Sequence, residues 1–240
     1  MGTLLIQDVF GLVNTNGTIE AGHDSTVCLE DATINGGLVT VLTGGIIEAG
    51  GPVLRPGSGT IAGAVVTNAG IVGAEGANLT IIGDVTNTGT LDANNATLVI
   101  AGAVSGGKAT IEGTGEIEFG GASAAMVTFA ANADAILKLD EPSAFTGTVF
   151  GLTKGDYIDL TNINFADNPT ISYSSKTHLL TVTDSVSQVT DTLTLKGVRG
   201  SFSAQSDGNG GTLITDPPPP TNIVGMSHGH DTFVFTHGGS

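Results

Sequence analysis

VTNAGIVGAEGANLTIIGD (residues 66–84), VTNTGTLDANNATLVIAGA (85–103) and VSGGKATIEGTGEIEFGGA (104–122) are three consecutive nineteen-residue stretches that align with one another. The first two share Val-Thr-Asn at the start, a glycine four residues on (Gly70, Gly89), an apolar residue two later (Val72, Leu91) and an apolar triplet led by Leu79 and Leu98. The third keeps Val104, Ile117 and Phe119 in the same columns, and a one-residue slip brings Ile111 into register. Self-similarity at about twenty residues is the mark of a solenoid, because each unit can bury its apolar face only against its neighbours. The expected fold is all-β: a parallel β-helix, or β-solenoid, closed by a C-terminal antiparallel β cap.

Working outward, a five-residue phrase recurs as Gly17-Thr-Ile-Glu-Ala21, Gly45-Ile-Ile-Glu-Ala49, Gly70-Ile-Val-Gly-Ala74 and Gly89-Thr-Leu-Asp-Ala93. Its spacing tightens from 28 to 25 to 19 residues. The excess falls in loops such as 50–57, where Gly51-Pro52 and Arg55-Pro56-Gly57 oppose strand pairing. Short β-type runs surround each phrase at 26–29, 38–42, 60–66, 79–82 and 97–100, and none has a helical period. Asn68, Asn87 and Asn16 stand just before glycines and read as turn residues whose amides pair with the next rung. Runs at 126–129 and 135–139 continue the pattern, with Ile136, Leu137, Leu139 and Phe145 expected to thicken the core. The domain reading is solenoid over 1–151, cap over 152–216, and a Pro-rich linker and tail over 217–240, with about six or seven rungs expected. In the cap, 174–177 and 207–211 carry the turn chemistry of hairpins.

The core must come from aliphatic residues, alanine and nine phenylalanines, since Trp is absent and Tyr occurs twice. Thirty-seven glycines without a Gly-X-Y period lie between β-branched runs and mark turns. Seven basic against 23 acidic residues give a formal charge of −16. That sign repels phosphate backbones and anionic lipid heads, so neither nucleic acid nor membrane docking is expected, and no run approaches the roughly 18–20 apolar residues that membrane insertion needs. Cys28 is alone, which rules out an intrachain disulfide. Residues 1–10 lack the basic and long apolar character of a signal peptide, so the expectation is a piece of something larger or export without an N-terminal signal.

Chemistry-bearing motifs are sparse: no Gly-x-Ser-x-Gly, P-loop, HExxH or CxxC occurs. A β-helix hydrolase could draw a carboxylate pair from Glu48, Glu75, Asp92, Glu112, Glu116 and Glu118, and Glu75 and Asp92 fall close together in the repeat register. These two are the candidate binding residues. A lyase would also need a charge neutraliser, yet the basic residues are scattered and only Lys108 lies within the nineteen-residue lines. No motif requires a cofactor. Hard oxygen ligands make Asp156, Asp159, Asp207 and Asn209 the candidates for Ca²⁺, although neither the EF-hand nor the nonapeptide spacing is met. His228, His230, Asp231 and His237 in the tail could hold Zn²⁺ or Ni²⁺. The alternation Thr86, Thr88, Thr90 raises a rival reading as an ice-ordering face, weakened by interrupting Ala, Gly and Asp.

The phrases 85–93 (VTNTGTLDA) and 145–160 (FTGTVFGLTKGDYIDL) resemble the repeats of large exported proteobacterial surface proteins, the β-helical adhesins and autotransporter-passenger-like chains. The segment 229–235 (GHDTFVF) resembles those near the C-terminus of type I secreted, RTX-like proteins. The resemblance implies an extracellular or cell-surface bacterial location and a non-enzymatic structural or adhesive role toward carbohydrate or another surface polymer. A polysaccharide-active β-helix lyase or hydrolase is the alternative.

Overall fold

The computed structural model describes residues 2–7, 11–51 and 57–216. The Pro52–Pro56 part of the early loop and the whole tail, with His228, His230, Asp231, His237 and the 229–235 segment, lie outside them. Strands on three faces wind into a β-solenoid of about eight turns. A first face carries Gly2–Gln7, Ser25–Glu30, Ile46–Gly50, Ile71–Glu75, Thr90–Asn94, Lys108–Glu112, Met126–Phe129 and Thr148–Phe150, each parallel to the next. The second face runs from Leu12–Val13 through Leu79–Ile82 and Thr97–Ile100 to Tyr157–Leu160. The third holds Thr18–Ala21, Leu38–Val41, Val65–Asn68 and Val85–Asn87, then narrows to single bridges at Val104, Ser123 and Phe145. Eight turns exceed the expected six or seven because the loose N-terminal segment and residues 157–160 each contribute parallel strands.

The nineteen-residue columns are physical columns. Leu79 pairs with Leu98 and Leu98 with Ile117, while Val66, Val85 and Val104 stack on the third face. The one-residue slip is a shorter corner before Lys108, which places Ala109 on Leu91 and Ile111 on Ala93. A longer turn at residues 112–115 then restores the nineteen-residue offset between Thr97 and Glu116. Alternate residues of each strand point inward, so the interior is a set of aliphatic ladders in which Val72, Leu79, Leu91, Leu98, Ile100, Ile111 and Ile117 are fully buried. Small residues face large ones across it. A Cβ on Gly59 would sit 2.8 Å from the Leu29 side chain and 3.1 Å from that of Leu79, so no larger residue fits beneath Leu79.

Two expectations from the repeat change. The phrase at Gly17 is not equivalent to its later copies, because Thr18–Ala21 pairs with Leu38–Val41 on the third face. Thr26–Leu29 is what precedes Ile46–Ala49 on the first face. An apolar-alternating pentapeptide suits any face of such a coil, so its recurrence does not by itself give a register. Likewise Thr86 is on the third face and Thr90 on the first, while Thr88 turns the corner between them and its hydroxyl donates to the Asn68 carbonyl at 3.2 Å. The alternation is therefore not one flat column.

Asn68 and Asn87 are buried inside the corner. The Asn68 amide donates to the Asn87 side-chain oxygen at 2.9 Å and to the Thr90 carbonyl at 2.9 Å. Asn87 donates in turn to the carbonyls of Gly106 (2.8 Å) and Lys108 (3.3 Å), and each side-chain oxygen accepts the N–H two residues on, from Gly70 and Gly89. Asn16 stands apart: it is exposed at φ 60° and takes the left-handed turn for which asparagine is suited.

Both long faces are closed by antiparallel returns. Thr190–Lys196 adds one more parallel strand beside Thr148–Phe150, and Leu179–Thr183 and Thr170–Ser174 follow antiparallel. Thr212–Thr215 lies antiparallel on Tyr157–Leu160 and carries Ser203–Ser206 at its edge. The turns fall at the two expected hairpins, since Ser174 pairs with Leu179 and Ser206 with Thr212. Short outer strands rich in Ser and Thr leave little for another chain to pair with. Under the cap, Phe145 packs on Phe119 with ring centroids 6.3 Å apart.

Candidate functional site

Parallel register gathers acidic residues at two places. On the first face, Glu48, Gly73, Asp92 and Thr110 form one outward column, and Glu75, Asn94 and Glu112 form the next. Glu75 and Asp92 are thus diagonal neighbours on adjacent strands, as the repeat register suggests. Asn94 donates to Glu75 Oε1 at 2.9 Å. Partial burial, then Glu112 and Glu75, push the Asp92 carboxyl up to about 6. Burial also raises Glu48, with Glu75 adding repulsion and a hydrogen bond from Cys28 opposing. The Cys28 thiol donates to Glu48 at 3.5 Å, and burial beside that carboxylate pushes it up to about 12, so it is inert as a nucleophile at neutral pH. Beside these columns a groove of about 340 Å³ crosses successive turns, lined by Ile46, Ile71, Thr88, Thr90 and Lys108.

Glu116 and Glu118 are placed elsewhere, on the second face near the cap. Here Lys138 bonds Glu118 at 3.1 Å and reaches Asp140 at 4.0 Å. Burial works against the Lys138 charge, but Glu118, Asp140 and Glu116 outweigh it and hold the ammonium above its ordinary value. Glu116, Lys138, Asp140, Asp159, Thr161, Asp207 and Asn209 line a cleft of about 490 Å³ between the last turn and the hairpin at 207–211. Asp159 is pushed up to about 6 by burial and then by Asp207, with Lys138 opposing.

Three of the four Ca²⁺ candidates therefore meet in this cleft, and Asp156 does not. Its carboxylate accepts from the Thr153 N–H (3.0 Å), the Thr153 hydroxyl (2.9 Å) and the Ala135 N–H (3.3 Å), which makes it a turn clamp. Among the described residues, no three His, Cys, Asp or Glu side chains come together as a ready-made metal centre. No helix among them is long and apolar enough to cross a membrane. Sequence reasoning passed over Asp140 and gave Lys138 no role, although Lys138 stands in the column Glu118, Lys138, Asp159 at offsets of 20 and 21 residues. It also passed over Asp191, a carboxylate buried to 1% exposure on the inner side of Thr190–Lys196 with neither oxygen partnered among the described residues.

The raised carboxyls set a pH dependence. Between about pH 4 and pH 6 the folded chain holds protons on Asp92 and Asp159 that the unfolded chain releases. Their stabilising effect is therefore complete below the unfolded value of 3.8 and is lost as pH rises through about 6. Two units correspond to about 2.7 kcal/mol per group, which solvent screening reduces to about 1 kcal/mol. The melting temperature is expected to be about 2–4 °C higher near pH 5 than near pH 7.5, with a smaller rise in Asp92→Asn. A scan in which stability stays level or falls toward pH 5 would contradict this.

No protein-family model matches the chain, and no curated protein matches it significantly.

Proposed function

We propose that this chain is a non-enzymatic structural and adhesive module of an exported bacterial surface protein, which binds carbohydrate or another surface polymer along its first face. The supporting observation is the groove lined by Ile46, Ile71, Thr90 and Lys108 beside the columns of Glu48, Asp92, Glu75 and Asn94. Apolar contacts and hydrogen-bonding groups there repeat at the interstrand spacing of about 4.8 Å. An extended polymer of hydroxylated units needs such a periodic row, with acceptors for its hydroxyls and aliphatic surface for its ring faces. A fixed β framework presents the row without a folding cost on binding.

The second reading, a polysaccharide-active enzyme, draws on Asp92, whose carboxyl at about 6 beside Glu75 and Glu112 has the proton affinity of a general acid. A glycan array followed by incubation of the bound glycans separates the two. The adhesive reading expects retention without new reducing ends or unsaturated products, and a roughly tenfold or greater loss of affinity in a Glu75→Gln, Asp92→Asn double variant. Turnover that disappears in Asp92→Asn would replace adhesion with catalysis.

A further inference from the structure

Asp159 carries a buried oxygen for which the described residues provide no donor. The residue is 7% exposed, and its Oδ1 has no hydrogen-bond partner among the described residues. Across from it, Asp207 is held by its own turn: Oδ1 accepts from the N–H groups of Asn209 and Gly211, both at 2.8 Å. That leaves Asp207 Oδ2 directed at Gly211. Around the point where a Cβ on Gly211 would stand lie Asp207 Oδ2 at 2.7 Å, the Leu160 carbonyl oxygen at 3.1 Å and Asp159 Oδ1 at 3.2 Å. The Leu160 carbonyl accepts a long bond from Ile163 N–H at 3.3 Å and faces its ladder partner Thr212, so the two carboxylate oxygens are the ones left without a donor among the described residues. Three acceptors thus converge beside a glycine.

The surroundings do not neutralise them. Glu116, Asp140, Asp159 and Asp207 against Lys138 give the cleft four carboxylates and one ammonium. Lys138 is engaged with Glu118 and Asp140, and it stands beside Asp159 in the ladder without forming an ion pair with it. A carboxylate oxygen buried without a donor is destabilising unless a proton or a cation satisfies it. Two carboxylate oxygens beside a main-chain carbonyl, opening onto solvent, are hard oxygen ligands of the kind Ca²⁺ accepts, with water completing its flexible shell. Mg²⁺ fits less well because it demands octahedral geometry and gives up its water reluctantly.

We propose that Asp159 and Asp207, beside the Leu160 carbonyl, form a Ca²⁺ site that clamps the 207–211 hairpin onto the last turn of the solenoid. The site is independent of the first face and of any polymer bound there. So few protein ligands place its Kd in the range of extracellular modules, about 10⁻⁴ to 10⁻³ M.

The test is thermal unfolding of the full chain near pH 7.5 in about 10 mM CaCl₂, roughly ten times the weakest expected Kd, against NaCl of equal ionic strength. Ca²⁺ is expected to raise the melting temperature by about 3–5 °C over the NaCl control. Asp159→Asn should abolish the rise, and Asp92→Asn, on the other face, should retain it. Asp207→Asn serves the same purpose if Asp159→Asn does not fold. Gly211→Ala, which puts a methyl group among the three oxygens, should also remove the response. An equal rise in wild type and Asp159→Asn would mean diffuse screening of an acidic surface, and no rise in wild type would mean that a proton alone satisfies Asp159; either overturns the proposal.

Discussion

Replacing Leu98 with alanine is expected to remove about 2–5 kcal/mol of stability, the cost of a cavity that packed neighbours cannot close. Leu98 is fully buried between Leu79 on one side and Ile117 on the other, in a ladder that continues to Leu137 and Ile158. Backbone hydrogen bonds hold those neighbours at fixed interstrand spacing, so they cannot collapse into the gap as helices sometimes do. The same truncation at Thr80, which faces outward, should cost about 0.5 kcal/mol or less. Urea unfolding of both variants checks the pair. A Leu98→Ala loss below about 1 kcal/mol would mean the interior is not the continuous ladder described here. Leu98→Asp should not fold, because the column has no partner for a charge.

Asn87→Ala is the second large effect, expected at about 2–4 kcal/mol although it deletes a polar side chain. The asparagine accepts from Asn68 and Gly89 and donates to the Gly106 and Lys108 carbonyls. Removing it strips partners from groups on both adjoining turns, inside a corner that is 2% exposed at this residue. Asn94→Ala provides the contrast, since the residue is only half-buried and its amide donates to Glu75 alone; about 1 kcal/mol or less is expected there. Equal effects at the two positions would show that the buried amides are dispensable.

The columns were legible because a repeat exposes its own register. Leu79 and Leu98, or Val66 and Val85, could be superposed on paper, and Ile111 announced the short corner before Lys108. The phrase at Gly17 misled for a related reason: alternation identifies a strand without saying which of three faces it joins. Hairpins at 174–177 and 207–211 were visible from local turn chemistry. Their attachment was legible only as a choice between pairing onto the last rung and packing as a small sandwich, since a strand at 212–215 lying on residues 157–160 depends on a return across about fifty residues that leaves no periodic trace. For that reason Asp159 and Asp207 were named as ligand candidates while the glycine between them went unremarked. Asp156 was grouped with them by proximity in sequence, yet a turn at Thr153 claims both of its oxygens.

The asparagine pair has an evolutionary corollary. Asn68 is bonded to the turn that follows it by contacts of the kind through which Asn87 meets its own successor, so neither turn identifies its place in the series. Unequal recombination within residues 66–103 would insert or delete a nineteen-residue unit and keep a buried asparagine at each junction. Each such event would alter reach by about 4.8 Å while sparing the closing strands, which makes length the property that descendants of this chain can vary most freely.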